Sequence, residues 1–327
     1  MVYRGTYNEK RFLQVLVATF ILTSSTISMA NASPSNSGFI TNSFSKGDKS
    51  TYVDFESTKD KNKSDNAELY YEFKQGNISK DYYLQKSKNL SSDEYEKEFI
   101  LSANTFLDES IERSNEQLSN AYLEKIKNTG NYTNVNLFSR AASGMIETLL
   151  QVPQEQDYYC GPSTAKSIIS SRSSNPSQKT LAHKDWLETD VWGNTPWWVG
   201  GNADGYNPMQ YTLNKYQGIN YYSIYGSSVT ASGLKSKVVY SIDRGYGIAA
   251  DIWEVPGGSY LPGHPAGYEI FHWVPIDGYY NYGDTIHYAE PIYNASSVSW
   301  YQNIKNPYYN VSLSTMANVT DGRGIVW

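Results

Sequence analysis

Cys160 is the only cysteine among 327 residues. A lone thiol cannot close an internal disulfide, so it is either a small buried apolar group or a reagent. Its neighbours favour the reagent. The run Gln151-Val-Pro-Gln154-Glu-Gln-Asp-Tyr-Tyr-Cys160-Gly-Pro leads into a helical pattern that reaches about Ser171, with Cys160 at its N-terminus. Free N–H groups and the helix dipole at that end favour a thiolate. Gly161 lets backbone approach closely, and Pro162 suits a first helical turn.

A thiol nucleophile needs a base, an acceptor that orients the base, and donors for the developing oxyanion. The histidines are His183, His264, His272 and His287. His183 lies in a charged, surface-like run. His264 stands in a Pro-Gly-His-Pro loop that could face a cleft, and His287 sits inside a strand pattern. His272 begins an apolar strand, where a rigid element can hold a ring, and it leads on position. Glu290 ends the following strand, and antiparallel pairing about a turn at 281–284 brings it near His272. Asp277 should face the other side of the strand, and Asp284 should be solvated in the turn. Gln154 offers a side-chain amide to the oxyanion and Cys160 its backbone N–H, with Gln156 as the rival amide.

The elements that must position these groups lie in the C-terminal half. All eight tryptophans fall at or beyond Trp186. That aromatic-rich, charge-poor sequence suggests packed β-structure with recognition loops. Helical patterns cover 161–171, 181–187, 209–216 and 229–243; strand patterns cover 145–152, 219–225, 247–253, 272–279 and 285–290. Helices first and strands later, with hairpins and no β–α–β rhythm, point to an α+β fold. A loop at 191–207 rich in Trp and Gly is either a binding platform or packing.

The N-terminal half reads differently. Arg4, Lys10 and Arg11, an apolar run from Phe12 to Leu22, and Ala30-Asn31-Ala32 have the form of a secretory signal spanning 1–32. Export with cleavage would leave no membrane span and place the protein outside the cytoplasm or at the cell surface. Residues 33–66 read as a flexible leader and 67–143 as a helical extension. In that extension a helix should run from Ser79 to Leu90. A capping box at Ser91 and Glu94 should then open a longer helix with an apolar stripe from Tyr95 to Ile126. The extension is either a subdomain that packs on residues 144–327, a propeptide or regulatory arm over a site, or a binding arm for another protein. A net charge of −6 argues against nucleic acid as a partner. No metal-ligand cluster, phosphate loop or cofactor motif is present in the sequence.

Gln154-x5-Cys160-Gly-Pro, then His272-Trp-Val-Pro-Ile-Asp-Gly-Tyr, then Glu290-Pro291 resemble the C-thirty-nine-like (bacteriocin-leader-peptidase-like) family of papain-fold cysteine peptidases over about 144–293. The resemblance implies a papain-like fold, with Cys160 as nucleophile, Gln154 at the oxyanion and His272 as base. Glu290 stands where an Asp-Pro is usual. The implied activity is exported cysteine-type hydrolysis of peptide or amide bonds in a peptide or protein substrate. The alternatives are an inactive secreted binding module on the same fold, or an acyltransferase or cell-wall amidase using the same triad.

Overall fold

The computed structural model describes residues 58–90, 142–197, 207–226 and 228–327. In chain order the helices there are α1 (Thr58–Gln75), α2 (Lys80–Leu90), α3 (Cys160–Ser170), α4 (Gln178–Ala182), α5 (Thr189–Trp192), α6 (Pro208–Gln217), α7 (Ala231–Asp243) and α8 (Leu313–Thr320). The strands are β1 (Gly144–Met145), β2 (Ile224–Gly226), β3 (Ile248–Glu254), β4 (Ile270–Tyr280), β5 (Thr285–Ala289), β6 (Tyr308–Ser312) and β7 (Gly324–Val326). The fold is α+β. All strand pairings are antiparallel, in the order β2-β7-β3-β4-β5-β6. β1 pairs with β4 at Gly144↔Tyr279, beyond the point where β3 leaves off at Ile248↔Ile276.

β4 organises this sheet. It is long because Ile270, Trp273, Val274, Ile276 and Tyr279 all find a buried place. Its register against β5 shifts between Ile276 and Gly278, so Asp277 bulges out of the ladder and pairs with His287. α3 is tied to β4 and to the segment before it. Thr164 Oγ1 donates to the Trp273 carbonyl at 3.0 Å, and Ser163 Oγ donates to that of Val152 at 2.6 Å. Ala165, Ile168 and Ile169 bury the rest of that helix face.

Several elements differ in extent from their sequence patterns. The alternation at 145–152 yields only the two-residue β1, and that at 219–225 only β2. Tyr221 and Tyr222 pack on Tyr246 instead of extending a ladder. The helix expected at 181–187 ends at Ala182. In the tryptophan loop, Trp197 is buried against Trp273 while Trp192 is exposed; Trp198 lies outside the described residues. So do the signal segment, the leader up to residue 57, the Ser91–Glu94 capping box and the Tyr95–Ile126 stripe.

Among the described residues α2 covers Lys80–Leu90, the span its sequence predicts, but the helix before it already includes Thr58 and does not wait until Asn66. The added turns look too polar to bury. Tertiary contacts account for them. Lys63 donates to the carbonyls of Tyr221 and Trp327, each at 2.7 Å, and lies over both rings. Tyr70 donates to Asp243 at 2.8 Å, and Lys74 pairs with Asp243 and Tyr279. Ala67, Tyr70, Phe73 and Tyr83 belong to the same hydrophobic cluster as the sheet and α3.

Candidate active site

Cys160 begins α3, a reduced and buried thiol with 9 % of its surface exposed. Tyr159 before it makes no side-chain cap to the helix; its hydroxyl is held by Asp190 at 2.7 Å instead. The end of the helix beside the sulfur therefore has no competing cap from that residue. Gly161 is required by space. A Cβ there would lie 2.0 Å from Thr195 Oγ1.

The loop leading to Cys160 is pinned to the segment that carries Glu290. Gln154 N–H donates to the Pro291 carbonyl at 2.8 Å, and Gln151 Nε2 donates to the carbonyls of Glu290 and Tyr293 at 2.9 and 3.2 Å. Nucleophile loop and acid loop are thus tied to each other by three hydrogen bonds.

His272 is buried on β4, across from Ile252 of β3. Its Nε2 meets Glu290 Oε1 at 2.9 Å, and the Cys160 thiol is near enough to favour the charged ring. With Nε2 turned to the glutamate, Nδ1 is the nitrogen left for sulfur. Glu290 lies just beyond β5. The ladder ends at Ala289, and the pairing places residue 290 nearer Val274 than His272 in register. The longer glutamate side chain covers that offset.

Burial disfavours the charged ring of His272, but the Glu290 charge, the bond to Glu290 and the nearness of Cys160 overcome it and raise the pKa to about 10. Burial by itself would raise that of Glu290. The charge of His272 and the bonds from His264 and His272 instead hold it well below the usual carboxylate range. Both shifts favour the imidazolium and carboxylate form of the pair.

Gln154 is buried in the same loop, but its Nε2 donates to the carbonyls of Gln156 and Asp157 at 2.8 and 3.0 Å. Its Oε1 is buried without a hydrogen-bond partner. Exchanging amide N and O would face an oxygen to two carbonyls, so the orientation is secure. Both amide hydrogens are engaged within the loop. Gln156, the rival amide, is exposed.

Of the remaining histidines, His183 is exposed beside Asp185, and His287 stacks on Tyr308 and pairs with Asp277. Asp284 is solvent-facing and bound by Lys235 at 2.6 Å. His264 enters the site, which its loop position only hinted at. Its Nε2 meets Glu290 Oε2 at 3.3 Å, and its Nδ1 meets Glu254 Oε2 at 2.7 Å. Glu254 was not read from sequence as a site residue. Its signal was parity, since it continues the face of β3 that Ala250 and Ile252 occupy, and a carboxylate there must find a partner. His264, His272 and Glu290 each present a ligand atom, all within 4.8 Å of one another. Those atoms are already bonded to each other, and the hydrogen bonds account for their closeness.

A model of the Peptidase C39-like family matches residues 133–316. The chain belongs to the Peptidase C39-like family. The match spans Gln154, Cys160, His272 and Glu290, and it runs from before β1 into α8. No curated protein matches the chain. Family and fold agree: the antiparallel sheet with α3 packed on β4 is the α+β arrangement of a papain-like C39 fold. This C39-like chain is thus of the cysteine-peptidase kind.

Proposed function

We propose that this chain is an exported cysteine peptidase. Cys160, acting as a thiolate beside the charged His272, attacks a peptide or amide carbonyl and forms the C–S bond of a tetrahedral oxyanion. His272, charged beside Glu290, gives its proton to the leaving nitrogen as the C–N bond breaks. Water then adds to the thioester, with the neutral imidazole taking its proton, and the thiolate leaves. The Cys160 N–H at the start of α3 is one donor for the oxyanion; Gln154 would be the second, after its amide exchanges a loop carbonyl for the substrate. The observation that carries this reading is His272, bonded to Glu290 at 2.9 Å and with the Cys160 thiol near enough to favour its charge. The basic and apolar run ending at Ala30-Asn31-Ala32 supports export. The docking of α1 on Asp243, Tyr221 and Trp327 supports a packed subdomain over a masking propeptide.

The test is alkylation of folded protein by iodoacetamide at pH of about 6, where an ordinary thiol is mostly protonated. Cys160 should be labelled quickly in the native chain and slowly in His272→Ala. A native chain that labels no faster than the same chain in denaturant would sink the proposal. The engaged amide of Gln154 favours a second reading, an inactive binding module on this fold. That reading expects a reactive thiol but no cleavage of any member of a peptide library. An acyltransferase or cell-wall amidase would use the same triad and differ only in the acceptor or amide preferred in the library.

A further inference from the structure

Glu290 has one more rotatable bond than an aspartate, so a single contact does not fix where its carboxylate lies. Oε1 is fixed twice, by the Ile292 N–H at 3.0 Å and by His272 Nε2 at 2.9 Å. Oε2 faces His264 Nε2 at 3.3 Å. The His264 ring is held in turn. Its Nδ1 meets Glu254 Oε2 at 2.7 Å, and Glu254 Oε1 accepts the Leu261 N–H at 2.5 Å. The ring stands edge-on to His272 and to Trp300, with centroids 5.4 and 5.0 Å away. Both side chains of the His264–Glu254 pair are fully buried.

We infer that His264, anchored by Glu254, is a positioning residue whose Nε2–H fixes the second oxygen of Glu290 and so aims the first at His272. The result is a continuous buried chain, His272–Glu290–His264–Glu254, that ends beside Cys160. A rotation of Glu290 away from His272 would strand an oxygen without a partner in a dry site, which opposes the motion. Each ring nitrogen of His264 faces a carboxylate oxygen, which can only accept, so both donate; burial opposes charge on this ring, but the bonds from Glu254 and Glu290 raise its pKa. This inference rests on the thiol-peptidase reading above.

Two variants separate the bond from the bulk. In His264→Asn the side-chain amide lies where Nδ1 was, so it keeps Glu254 and loses Glu290. In His264→Gln the amide reaches the place of Nε2 and still donates to Glu290. Iodoacetamide alkylation of Cys160 is followed across pH in the full chain, with thermal unfolding as the check on folding. At pH of about 6, His264→Asn should alkylate about tenfold more slowly than native protein, its acid limb moved up by about one pH unit. His264→Gln should recover to within about threefold of native. Equal rates in the two variants, or a native-like rate in His264→Asn, overturn the positioning role while leaving the peptidase reading intact. A native chain that is not labelled at all overturns both.

Discussion

Replacing Glu290 by Gln tests the electrostatics of the site with little change in shape. The amide Oε1 can still accept from His272 Nε2 and from the Ile292 N–H. Its Nε2 can donate to His264, whose remaining proton then points to Glu254. The Glu290 charge is lost, and with it the His264 Nε2 proton that faced it. His272 stands at about 10 against an ordinary 6.5, a differential stabilisation of its charged form of roughly 5 kcal/mol. A Coulomb interaction across 2.9 Å at an effective dielectric constant near 20 is about 6 kcal/mol, so the Glu290 charge is large enough to account for it. Without that charge, burial prevails and the ring becomes neutral at neutral pH. Alkylation of Cys160 at pH of about 6 should then fall by two orders of magnitude or more, at about tenfold per 1.4 kcal/mol.

The same pair sets a pH window for stability. The raised pKa of His272 means its contribution is complete below 6.5 and is lost as pH rises toward 10. The depressed pKa of Glu290 means its contribution is complete above 4.5 and is lost as pH falls toward its folded value. Melting temperature should therefore peak between those limits in native protein, and the alkaline slope should flatten in Glu290→Gln. A variant that labels like native protein at pH of about 6 and keeps the alkaline slope would refute the assignment of Glu290 as the charge partner.

Two further substitutions probe what holds the site in place. Gly161→Ala puts a methyl 2.0 Å from Thr195 Oγ1 and 2.4 Å from its Cβ, so α3 must shift beneath Cys160; denaturant titration should show a loss of about 1–3 kcal/mol, with alkylation slowed as well. Thr195→Ala should not rescue it, because the Cβ contact remains. Lys63→Met removes a buried ammonium that bonds two carbonyls and covers two rings. It should destabilise the fold by about 2–4 kcal/mol in denaturant titration and expose α1 to limited proteolysis, with little change in alkylation of the chain that remains folded.

Much of the site was legible because single positions carried strong local meaning. A lone cysteine before Gly-Pro reads as the start of a helix, and the structure opens α3 at Cys160. The apolar run from His272 and the turn at 281–284 read as a hairpin, and β4 and β5 form one. Glu290 was reached through an approximate register, and a long side chain absorbs the difference. His264 was one of four histidines with no local reason to prefer it. Its place depends on how a Gly- and Pro-rich loop returns over β3, which no short-range pattern specifies. Gln154 sat at the right spacing, but spacing says nothing about where an amide points, and here it points into its own loop.

By itself the sequence determined what is local: the approximate places of the main helices and strands, which thiol is available, and which residue types could accompany it. The tertiary structure decided what depends on distant partners. It inserted β7 between β2 and β3, drew the polar start of α1 into helix through Lys63, and joined Glu254 and His264 to Glu290. The physical reason is the same in each case. A buried polar group is stable only where its partner is, and those partners lie ten to more than two hundred residues away.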